Sequence, residues 1–514
     1  MLTIAAAGMG ALLAFLPAAG HDQLWCLYVA RRVLDGTPLY GPQLMESNPP
    51  LIIWLSLLPV LLERLLHLPA AALGKGLVVL LDLEVAAICA RQLRRLLPPV
   101  SASQLAALAF AFVVLFNVVP ARDLGQRDYL LALLCLPYLI SAAGRLSQPA
   151  QNSAALLSSV AIGLAAGVGI ALKPHQAILP IAVELFLLVR SRQIRSLLRP
   201  EPCAILVAGV VYVAAVHSVT PAYFTTILPI LRDTYWAVGS LSLPQLIWEA
   251  VELHVLATVA FVVYFRFRRG PADTATSALA ALFLVAGCAS TLAYYLQGTG
   301  WYYQQLPAIT FFAFALVLML LPSLHLQSPR WLLPSSIGLS VLALALTTHF
   351  MDYPFTEARS FPIDTPDPAL FANLPPGTPV ATLTTTVDDT VMPAARFHLT
   401  IAQRYPHLWM LPAILRNEQP DARHPPSHII PPARLAELDA LQHRFMVEDL
   451  ERWKPPLVLV EHCQKPGVHC QLLEDRDDDL LAWFLRDPAF AAAWKPYTFV
   501  VSRGPYDAYA RTSP

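Results

Sequence analysis

The sequence predicts a polytopic α-helical membrane protein with a C-terminal extramembrane α/β domain. Of its 514 residues, 56% are hydrophobic and only 14% are charged, and the mean hydropathy is +0.53, whereas roughly a quarter of the residues of a soluble domain are charged. Apolar runs long enough to cross a hydrocarbon core of about 30 Å recur through the first two thirds of the chain. These observations exclude a soluble globular protein.

Twelve apolar segments predict the helices. They are residues 2–19, 51–69, 71–90, 103–120, 129–144, 154–172, 176–189, 202–219, 248–265, 274–296, 306–322 and 331–349. The first lacks a positively charged leader, so it is predicted to be a membrane helix, with a cleaved signal peptide as the open alternative. Segment 51–69 is predicted to be interfacial or re-entrant, because Glu63, Arg64 and His67 make its second half amphipathic. About eleven spanning helices remain.

The basic residues predict the orientation of these helices. Lys and Arg are retained on the cytoplasmic side of a membrane, and they cluster at every second connection, around residues 91–95, 145, 190–199, 266–269 and 330. The alternation places on the outer face the first external loop, 21–50, together with residues 122–128, 173–176, 220–247 and 297–307. The chain from residue 350 onward is then also outside.

Charge and composition divide the chain into a transmembrane domain, 1–349, and a periplasmic domain, 350–514. The first holds 20 basic and 14 acidic residues, and the second holds 15 basic and 21 acidic residues. The net charge of the whole chain is nevertheless zero. The second part combines Pro-rich stretches with strand-like runs at 379–387, 455–463 and 497–503 and a helical run at 473–490. The sequence contains no stripe of basic residues of the kind that would predict a nucleic-acid partner.

Two of the seven cysteines, Cys463 and Cys470, flank a Pro-Gly turn in the predicted external domain, and a disulfide between them is favoured in that compartment. A zinc-type site that also uses His462 and His469 is the alternative, although its spacing is compressed. The other five cysteines lie in or beside apolar segments and are predicted to be inert packing residues.

Polar residues with candidate chemistry lie at the predicted outer ends of helices. Asp22 directly follows the first helix, and Trp25, Tyr28 and Tyr40 supply interfacial aromatic groups to the same loop. A second external stretch brings five polar residues to the start of another helix. They are Arg122, Asp123, Gln126, Arg127 and Asp128.

The order of these pieces resembles the GT-C superfamily of glycosyltransferases that use polyprenyl-phosphate sugars, a group that includes protein O-mannosyltransferases and the lipid A aminoarabinose transferase. The matching positions are Asp22, Arg31, Arg32, Gly36, Tyr40, Pro49-Pro50, Trp54, Asp128 in GQRDYLLALL, and Lys173-Pro174. Asn48 stands where some relatives carry a Lys. The likeness covers roughly residues 1–320 and is strongest in the first 180.

The resemblance implies an inverting, multi-pass glycosyltransferase at the periplasmic face of a bacterial inner membrane. Its donor would be a polyprenyl-phosphate-linked sugar, and its acceptor lipid A, a polysaccharide or a protein. Asp22 is the expected base for the acceptor hydroxyl. Asp128 would orient the acceptor, bind a divalent ion (Mg²⁺ or Mn²⁺) together with Asp22, or merely pair with Arg127, and Asp123 is the fallback carboxylate.

Cations and aromatic groups at the same face would bind the donor. Lys173, Arg122 and Arg127 are expected to hold the departing phosphate, with snorkelling of Lys173 at a helix end as the alternative. Tyr40, Gln297, Tyr302 and Tyr303 are predicted to contact substrate. For the segment that also holds Trp301, Gln304 and Gln305, the alternative is an aromatic belt. Weaker candidates for substrate contact are Tyr223, Arg232, Asp233, Tyr235, Trp236, Arg404 and Tyr405.

Two other classes of function stay open from the sequence. A transporter or flippase of lipid-linked glycans would need polar residues along a path across the bilayer, and most of the apolar segments contain none. A non-catalytic membrane assembly protein would tolerate the loss of Asp22 without any effect beyond folding.

Overall fold

The structure, a computed structural model, describes residues 14–15, 18–97, 101–147, 156–239, 241–267, 274–321, 366–420, 426–463, 470, 473 and 478–512. The chain divides into two compact units. We call residues 1–19, 62–215 and 241–359 the helical unit, and residues 20–61, 216–240 and 360–514 the mixed unit. The predicted segment 331–349 lies outside the described residues, as does all but four residues of segment 2–19.

Most of the α-helices before residue 322 follow the apolar segments of the sequence, but His21–Leu34 and Leu228–Thr234 are helices within the connections predicted at 21–50 and 220–247. In chain order they are α1 His21–Leu34, α2 Leu51–Leu66, α3 Ala70–Leu96, α4 Ala102–Val113, α5 Arg127–Ser147, α6 Leu156–Leu172, α7 Ile178–Ser191, α8 Pro200–Val219, α9 Leu228–Thr234, α10 Leu243–Glu249, α11 Val251–Phe267, α12 Thr274–Gln297 and α13 Leu306–Leu320. Short turns of π-helix at Val114–Val118 and Tyr223–Ile227, and of 3₁₀-helix at Ala121–Asp123, Pro174–Ala177, Ile194–Leu198, Tyr235–Ala237 and Tyr302–Gln305, join them.

Several of these helices are long and apolar enough to cross a membrane. Within the described ranges, α5, α8, α12 and α13 meet that test, and α10 with α11 meets it as a pair bent by 71°. Valines along α8, such as Val207 and Val210, are exposed although they are apolar, as expected of a surface that faces lipid. The protein is therefore a multi-pass membrane protein.

Helix α2 covers most of the segment predicted to be interfacial or re-entrant. Its 16 residues, with Pro59 inside, span about 24 Å at 1.5 Å per residue, which is less than the thickness of a hydrocarbon core of about 30 Å. Whether this helix crosses the membrane stays a prediction.

Glycines bring α6 and α8 into backbone contact within the helical unit. A Cβ atom on Gly163 would lie 2.4 Å from the carbonyl oxygen of Glu201, and one on Gly167 would lie 2.5 Å from the Cβ of Ala208. The two glycines are four residues apart and share one helix face. This is the small-residue packing by which membrane helices approach closely without a hydrophobic driving force.

The polar groups at one end of the helical unit pair across helices. Arg145 lies 3.4 Å from Glu201, and Nη2 of Arg199 lies 2.5 and 2.6 Å from the two carboxylate oxygens of Glu184. Both arginines belong to the connections predicted to be cytoplasmic.

The C-terminal part of the mixed unit forms a five-stranded sheet in the order β2-β1-β3-β5-β4. The strands are β1 Pro379–Leu383, β2 Thr400–Ile401, β3 Leu457–Glu461, β4 Tyr497–Arg503 and β5 Tyr506–Arg511, and the helices are α14 Asp388–Arg396, α15 Leu411–Glu418, α16 Pro432–Trp453, α17 Leu480–Leu485 and α18 Pro488–Trp494. Strand β1 is parallel to β2 and β3, whereas β5 is antiparallel to β3 and β4. Helices bridge the parallel pairs, as a parallel connection requires.

The first loop and the start of α2 contribute to the hydrophobic core beside this sheet. Trp25 and Val29 of α1 and Ile53 of α2 are buried in one cluster with Leu459 of β3 and Tyr506 of β5. Residues 20–61 therefore group with the C-terminal strands, although more than 300 residues separate them. The domain boundary at residue 350 stays a prediction.

The cysteines divide as follows. Cys463 and Cys470 form a disulfide, with their Cα atoms 5.0 Å apart. Cys26, Cys89 and Cys135 are buried, as expected of packing residues, but Cys203 and Cys288 are exposed.

Candidate functional site

Four of the predicted site residues meet at one end of the helical unit. Asp128 is the second residue of α5, Lys173 follows the end of α6, Gln297 ends α12, and Tyr303 lies in the 3₁₀ turn before α13. All four belong to connections that the charge alternation assigns to one face of the membrane. We call them the lysine cluster.

Lys173 is the centre of the lysine cluster. Its Nζ lies 2.9 Å from Oδ2 of Asp128, donates a hydrogen bond of 3.2 Å to Oε1 of Gln297, and lies 5.3 Å from the centre of the Tyr303 ring. Asp128 is completely buried, and only 7% of Lys173 is exposed. Lys173 therefore does not snorkel to solvent, and it is an ion partner of Asp128.

The local sequence explains why these side chains turn inward. Pro174 follows Lys173 and disfavours the α conformation at it, so α6 ends and the lysine takes φ −140°. Before α5, Ala121 at φ 48° and Gly125 at φ 81° turn the chain back on itself. Asp128 then enters the first turn of α5, where the helix dipole favours a negative charge.

Gln176 is a buried polar residue beside this cluster that the sequence analysis missed. It lies in the 3₁₀ turn Pro174–Ala177 and is completely buried. Neither side-chain polar atom has a hydrogen-bond partner among the described residues, and the same holds for Oδ1 of Asp128. Because buried polar groups are nearly always hydrogen-bonded, these atoms have capacity for a polar ligand. The only feature of the sequence that could have indicated Gln176 is its position in a turn between two apolar helices.

The neighbouring predicted residues occupy the turn that leads into α5. Asp123 is buried and Arg122 and Arg127 are partly exposed, and all three make polar contacts. The hydroxyl of Tyr302 donates to the carbonyl oxygen of Val119 at 2.9 Å. Tyr302 therefore holds the turn from residue 119 onward against the segment that carries Tyr303.

A largely apolar cavity of about 300 Å³ lies in the helical unit between α3, α4, α5, α12 and α13. Ala109, Phe112 and Phe314 line it, together with the polar side chains of Asp82 and Asn117. Asp82 accepts a hydrogen bond from the hydroxyl of Tyr129, the residue after Asp128. The cavity and the lysine cluster therefore share helix α5.

The mixed unit contains a second polar cluster, built around Asp22. His21 and Asp22 begin α1, and Nε2 of His21 lies 3.4 Å from Oδ1 of Asp22. Nδ1 of the same ring lies 2.9 Å from Oδ1 of Asp388, the first residue of α14. The histidine thus stands between a carboxylate of the first loop and a carboxylate of the C-terminal part of the mixed unit.

His407 lies close to this cluster. Burial lowers the pKa of His407 to about 4, while the charge of Asp22 raises it and that of His21 lowers it. Its Nδ1 is buried and has no hydrogen-bond partner among the described atoms. Of this cluster, only Asp22 is predicted from the sequence. His21 adjoins it, and Asp388 and His407 are far away in the chain.

Comparison with known proteins identifies the fold. No protein-family model matches the chain, and no curated protein sequence matches it. Among solved structures, the crystal structure of ArnT from Cupriavidus metallidurans bound to undecaprenyl phosphate is similar over 100% of this chain and 98% of that chain. The TM-score is 0.54 and the sequence identity is 14%.

The chain has the GT-C fold.

This finding confirms the resemblance predicted from the first loop, Asp128 and Lys173-Pro174. A cryo-EM structure of the arabinofuranosyltransferase AftD from Mycobacteria is also similar, at 14% identity and a TM-score of 0.46, over 100% of this chain and 40% of that one. In this fold, Asp22 belongs to the mixed unit and Asp128 to the helical unit.

Tyr40 lies within the first loop of the GT-C chain. It is buried, with φ 62°, its ring lies 5.3 Å from that of Tyr223, and its hydroxyl donates to the carbonyl oxygen of Asn48 at 2.5 Å. Glu46, also buried, accepts hydrogen bonds from Trp25 and from the backbone and side chain of Asn48. These bonds fix the shape of the loop.

Several of the weaker candidates for substrate contact form polar pairs within the mixed unit. Arg404 is buried against Asp449, at 3.0 Å, and the hydroxyl of Tyr405 accepts from Gln442 at 2.5 Å. Asp233 pairs with Arg434 at 2.8 Å. Arg232, Tyr235 and Trp236 lie in the same segment, 216–240.

The possible metal ligands named from the sequence include Asp22 with Asp128 and the segment from His462 to Cys470. Among the described residues, no three His, Cys, Asp or Glu side chains are arranged to hold a metal ion. His469, part of the alternative zinc-type site, lies outside the described residues, and Cys463 and Cys470 are bonded to each other. We assign no metal ligand.

Proposed function

We propose that this protein is an integral-membrane glycosyltransferase. It moves a sugar from a polyprenyl-phosphate donor to a hydroxyl group of lipid A, a polysaccharide or a protein, with inversion at the anomeric carbon. The observation that carries this proposal is the fold shared with ArnT over nearly the whole of both chains, since that ArnT structure contains undecaprenyl phosphate.

The proposed location is a bacterial inner membrane, with the reaction at the periplasmic face. About eleven spanning helices would place the mixed unit and its C-terminal α/β domain outside. The positions of Arg145 and Arg199, at connections away from the lysine cluster, support this orientation because basic residues are retained in the cytoplasm.

Lys173 is the residue we assign to the departing phosphate. The leaving group is already a stable anion, so a cation placed beside its oxygens lowers the barrier without a general acid. Lys173 is a compact charge with three donors, and Asp128 and Gln297 hold it within the unit. On donor binding the phosphate would share the ammonium with Asp128, and Gln176 would supply hydrogen bonds.

Asp22 is the base we assign to the acceptor hydroxyl. As the C1–O bond to phosphate breaks with its electron pair, the anomeric carbon gains oxocarbenium character. The acceptor oxygen then attacks from the opposite face and gives its proton to Asp22. Asp22 lies in the first turn of α1. Its carboxylate is partly exposed, so a polar acceptor can approach it.

The apolar cavity of the helical unit is the proposed site for isoprenoid chain. It is lined mainly by hydrocarbon side chains, and it shares α5 with Asp128. A chain bound there would gain apolar burial worth roughly 25 cal/mol per Å².

A transfer assay on the full-length protein in detergent or nanodiscs tests the proposal. Candidate polyprenyl-phosphate sugars would be incubated with lipid A, polysaccharide and protein acceptors, and both labelled acceptor and released polyprenyl phosphate would be measured, with and without EDTA to test for a divalent ion. We expect Asp22→Asn to lower kcat by about 10²- to 10⁴-fold and Lys173→Met to weaken donor binding, while Lys495→Met, an exposed lysine, changes neither.

Two results would contradict the proposal. One is a folded wild-type protein that transfers no sugar from any donor of this class. The other is a folded Asp22→Asn variant with undiminished transfer, which would remove Asp22 as the base. Movement of lipid-linked glycan across proteoliposomes without transfer would favour the flippase alternative.

A further inference from the structure

We propose that His21 and Asp388 form a positioning pair that fixes the carboxylate of Asp22, so that the C-terminal domain sets the geometry of the base. This inference rests on the proposed function. It assigns a positioning role to a segment of chain that lies more than 300 residues after the first loop.

The geometry gives the histidine one carboxylate on each side. Nε2 of His21 is 3.4 Å from Asp22, and Nδ1 is 2.9 Å from Asp388. The two ring nitrogens of an imidazole are rigidly placed, so a contact at Nδ1 determines where Nε2 points. Asp388 therefore orients the face of the ring that meets Asp22.

Two carboxylates flank the ring. One lies within 4 Å of each ring nitrogen, so the ring is placed between Asp22 and Asp388 and links the positions of the two carboxylates. His407 also lies near Asp22. Burial lowers the pKa of His407 to about 4, so this ring is neutral at neutral pH.

Asp388 is itself held in place by its surroundings. It opens α14, where the helix N-terminus favours a negative side chain. The next residue, Asp389, is buried and accepts a hydrogen bond from Tyr506 of β5. The sheet thus anchors α14, α14 presents Asp388, and Asp388 orients His21.

If His21 and Asp388 only stabilised the packing of α1 on α14, their substitution would affect stability rather than kinetics. Loss of this contact would lower the melting temperature and leave the kinetics of the folded protein unchanged. Misplacement of a base by about 1 Å lowers turnover by up to about 10²-fold with little change in substrate binding. The split between kcat and KM therefore distinguishes the two roles.

The experiment compares full-length variants in the transfer assay. We expect Asp388→Asn and His21→Gln each to lower kcat by about 10- to 100-fold with KM nearly unchanged. Asp388→Glu should recover part of the loss, because it restores the charge. The double variant should be no slower than the slower single one, because residues that act as one unit are not additive. Controls are His428→Gln, an exposed histidine, and Asp487→Asn, the N-cap of α18.

Each outcome decides the inference. Wild-type kcat in the folded His21→Gln and Asp388→Asn variants, together with a strongly impaired Asp22→Asn, would overturn the positioning pair and leave the proposed function intact. Independent, multiplicative effects of the two substitutions would also overturn it. Absence of transfer by the wild-type protein removes the proposed function and this inference with it. If Asp388→Asn does not fold, His21→Gln alone gives the same decision.

Discussion

The ammonium group of Lys173 lies 2.9 Å from the carboxylate of Asp128, and both side chains are buried in the helical unit. Neither charge is compensated by bulk water, so each depends on the other. Removal of one partner from a buried pair leaves an uncompensated charge, whereas replacement of both by apolar residues is often tolerated.

Breaking this pair should therefore destabilise the protein. We expect Lys173→Met or Asp128→Leu alone to lower the free energy of unfolding by about 3 to 5 kcal/mol, and the double variant to recover most of that loss without recovering donor binding. Thermal unfolding in detergent measures the first effect and titration with polyprenyl phosphate the second. Arg486→Ala is the control, because its pair with Glu418 is exposed and should contribute less than about 1 kcal/mol. Single variants as stable as the wild type would contradict the prediction.

Packing of α6 on α8 gives a second prediction. Gly167→Ala places a Cβ 2.5 Å from the Cβ of Ala208, so the helices must separate, and overpacking of this kind costs about 1 to 3 kcal/mol. Gly209→Ala on α8 meets nothing within 4 Å and should instead stabilise the helix by up to about 1 kcal/mol. Opposite shifts in melting temperature are expected from the same chemical change. Equal shifts would refute the close contact.

A side chain that fills the apolar cavity should weaken binding of the polyprenyl donor. Ala109→Phe puts a ring into the space between α3, α4 and α13, so we expect weaker binding of the polyprenyl donor and a higher KM, with turnover at saturation less affected. Val210→Phe is the matched control, since Val210 is 62% exposed on α8, outside the cavity. Equal KM values for the two variants would place the isoprenoid chain elsewhere.

Stability should depend on pH through His407. Its pKa is about 4 in the folded protein and 6.5 in a model peptide, so between these values the unfolded chain binds more protons. Stability is therefore complete above pH 6.5 and falls as the pH decreases toward 4, by about 3 kcal/mol. Melting curves of the wild type and His407→Asn across this range measure the effect, with His428→Gln as the control. A wild-type slope retained in His407→Asn would assign the pH dependence to another group.

Much of the helical architecture could be predicted from the sequence. The segments at 129–144, 202–219 and 274–296 form α5, α8 and α12, because length and hydropathy alone decide whether a helix can lie in a membrane. Three strand-like runs form β1, β3 and β4, and the run at 473–490 contains α17 and the start of α18. Strands β2 and β5 and helices α14 to α16 were not predicted, since short or amphipathic elements depend on the core they pack against.

The candidate site was predictable only in part. Asp128, Lys173, Gln297 and Tyr303 could be selected because each ends or begins an apolar helix at the same predicted face, and the structure brings them together. Asp388 and His407 could not, because nothing local in the sequence indicates that they pack beside α1. Gln176 was missed because its burial, rather than its residue type, makes it unusual.

The shared core of Trp25, Ile53 and Tyr506 makes the order of synthesis matter for this protein. The ribosome releases the first loop early, but strand β5, which contains Tyr506, is made more than 400 residues later. Until β5 emerges, Trp25 and its neighbours lack part of their core and are accessible to chaperones and proteases. A premature stop before residue 506 would therefore leave the first loop incompletely packed, although that loop is made hundreds of codons earlier.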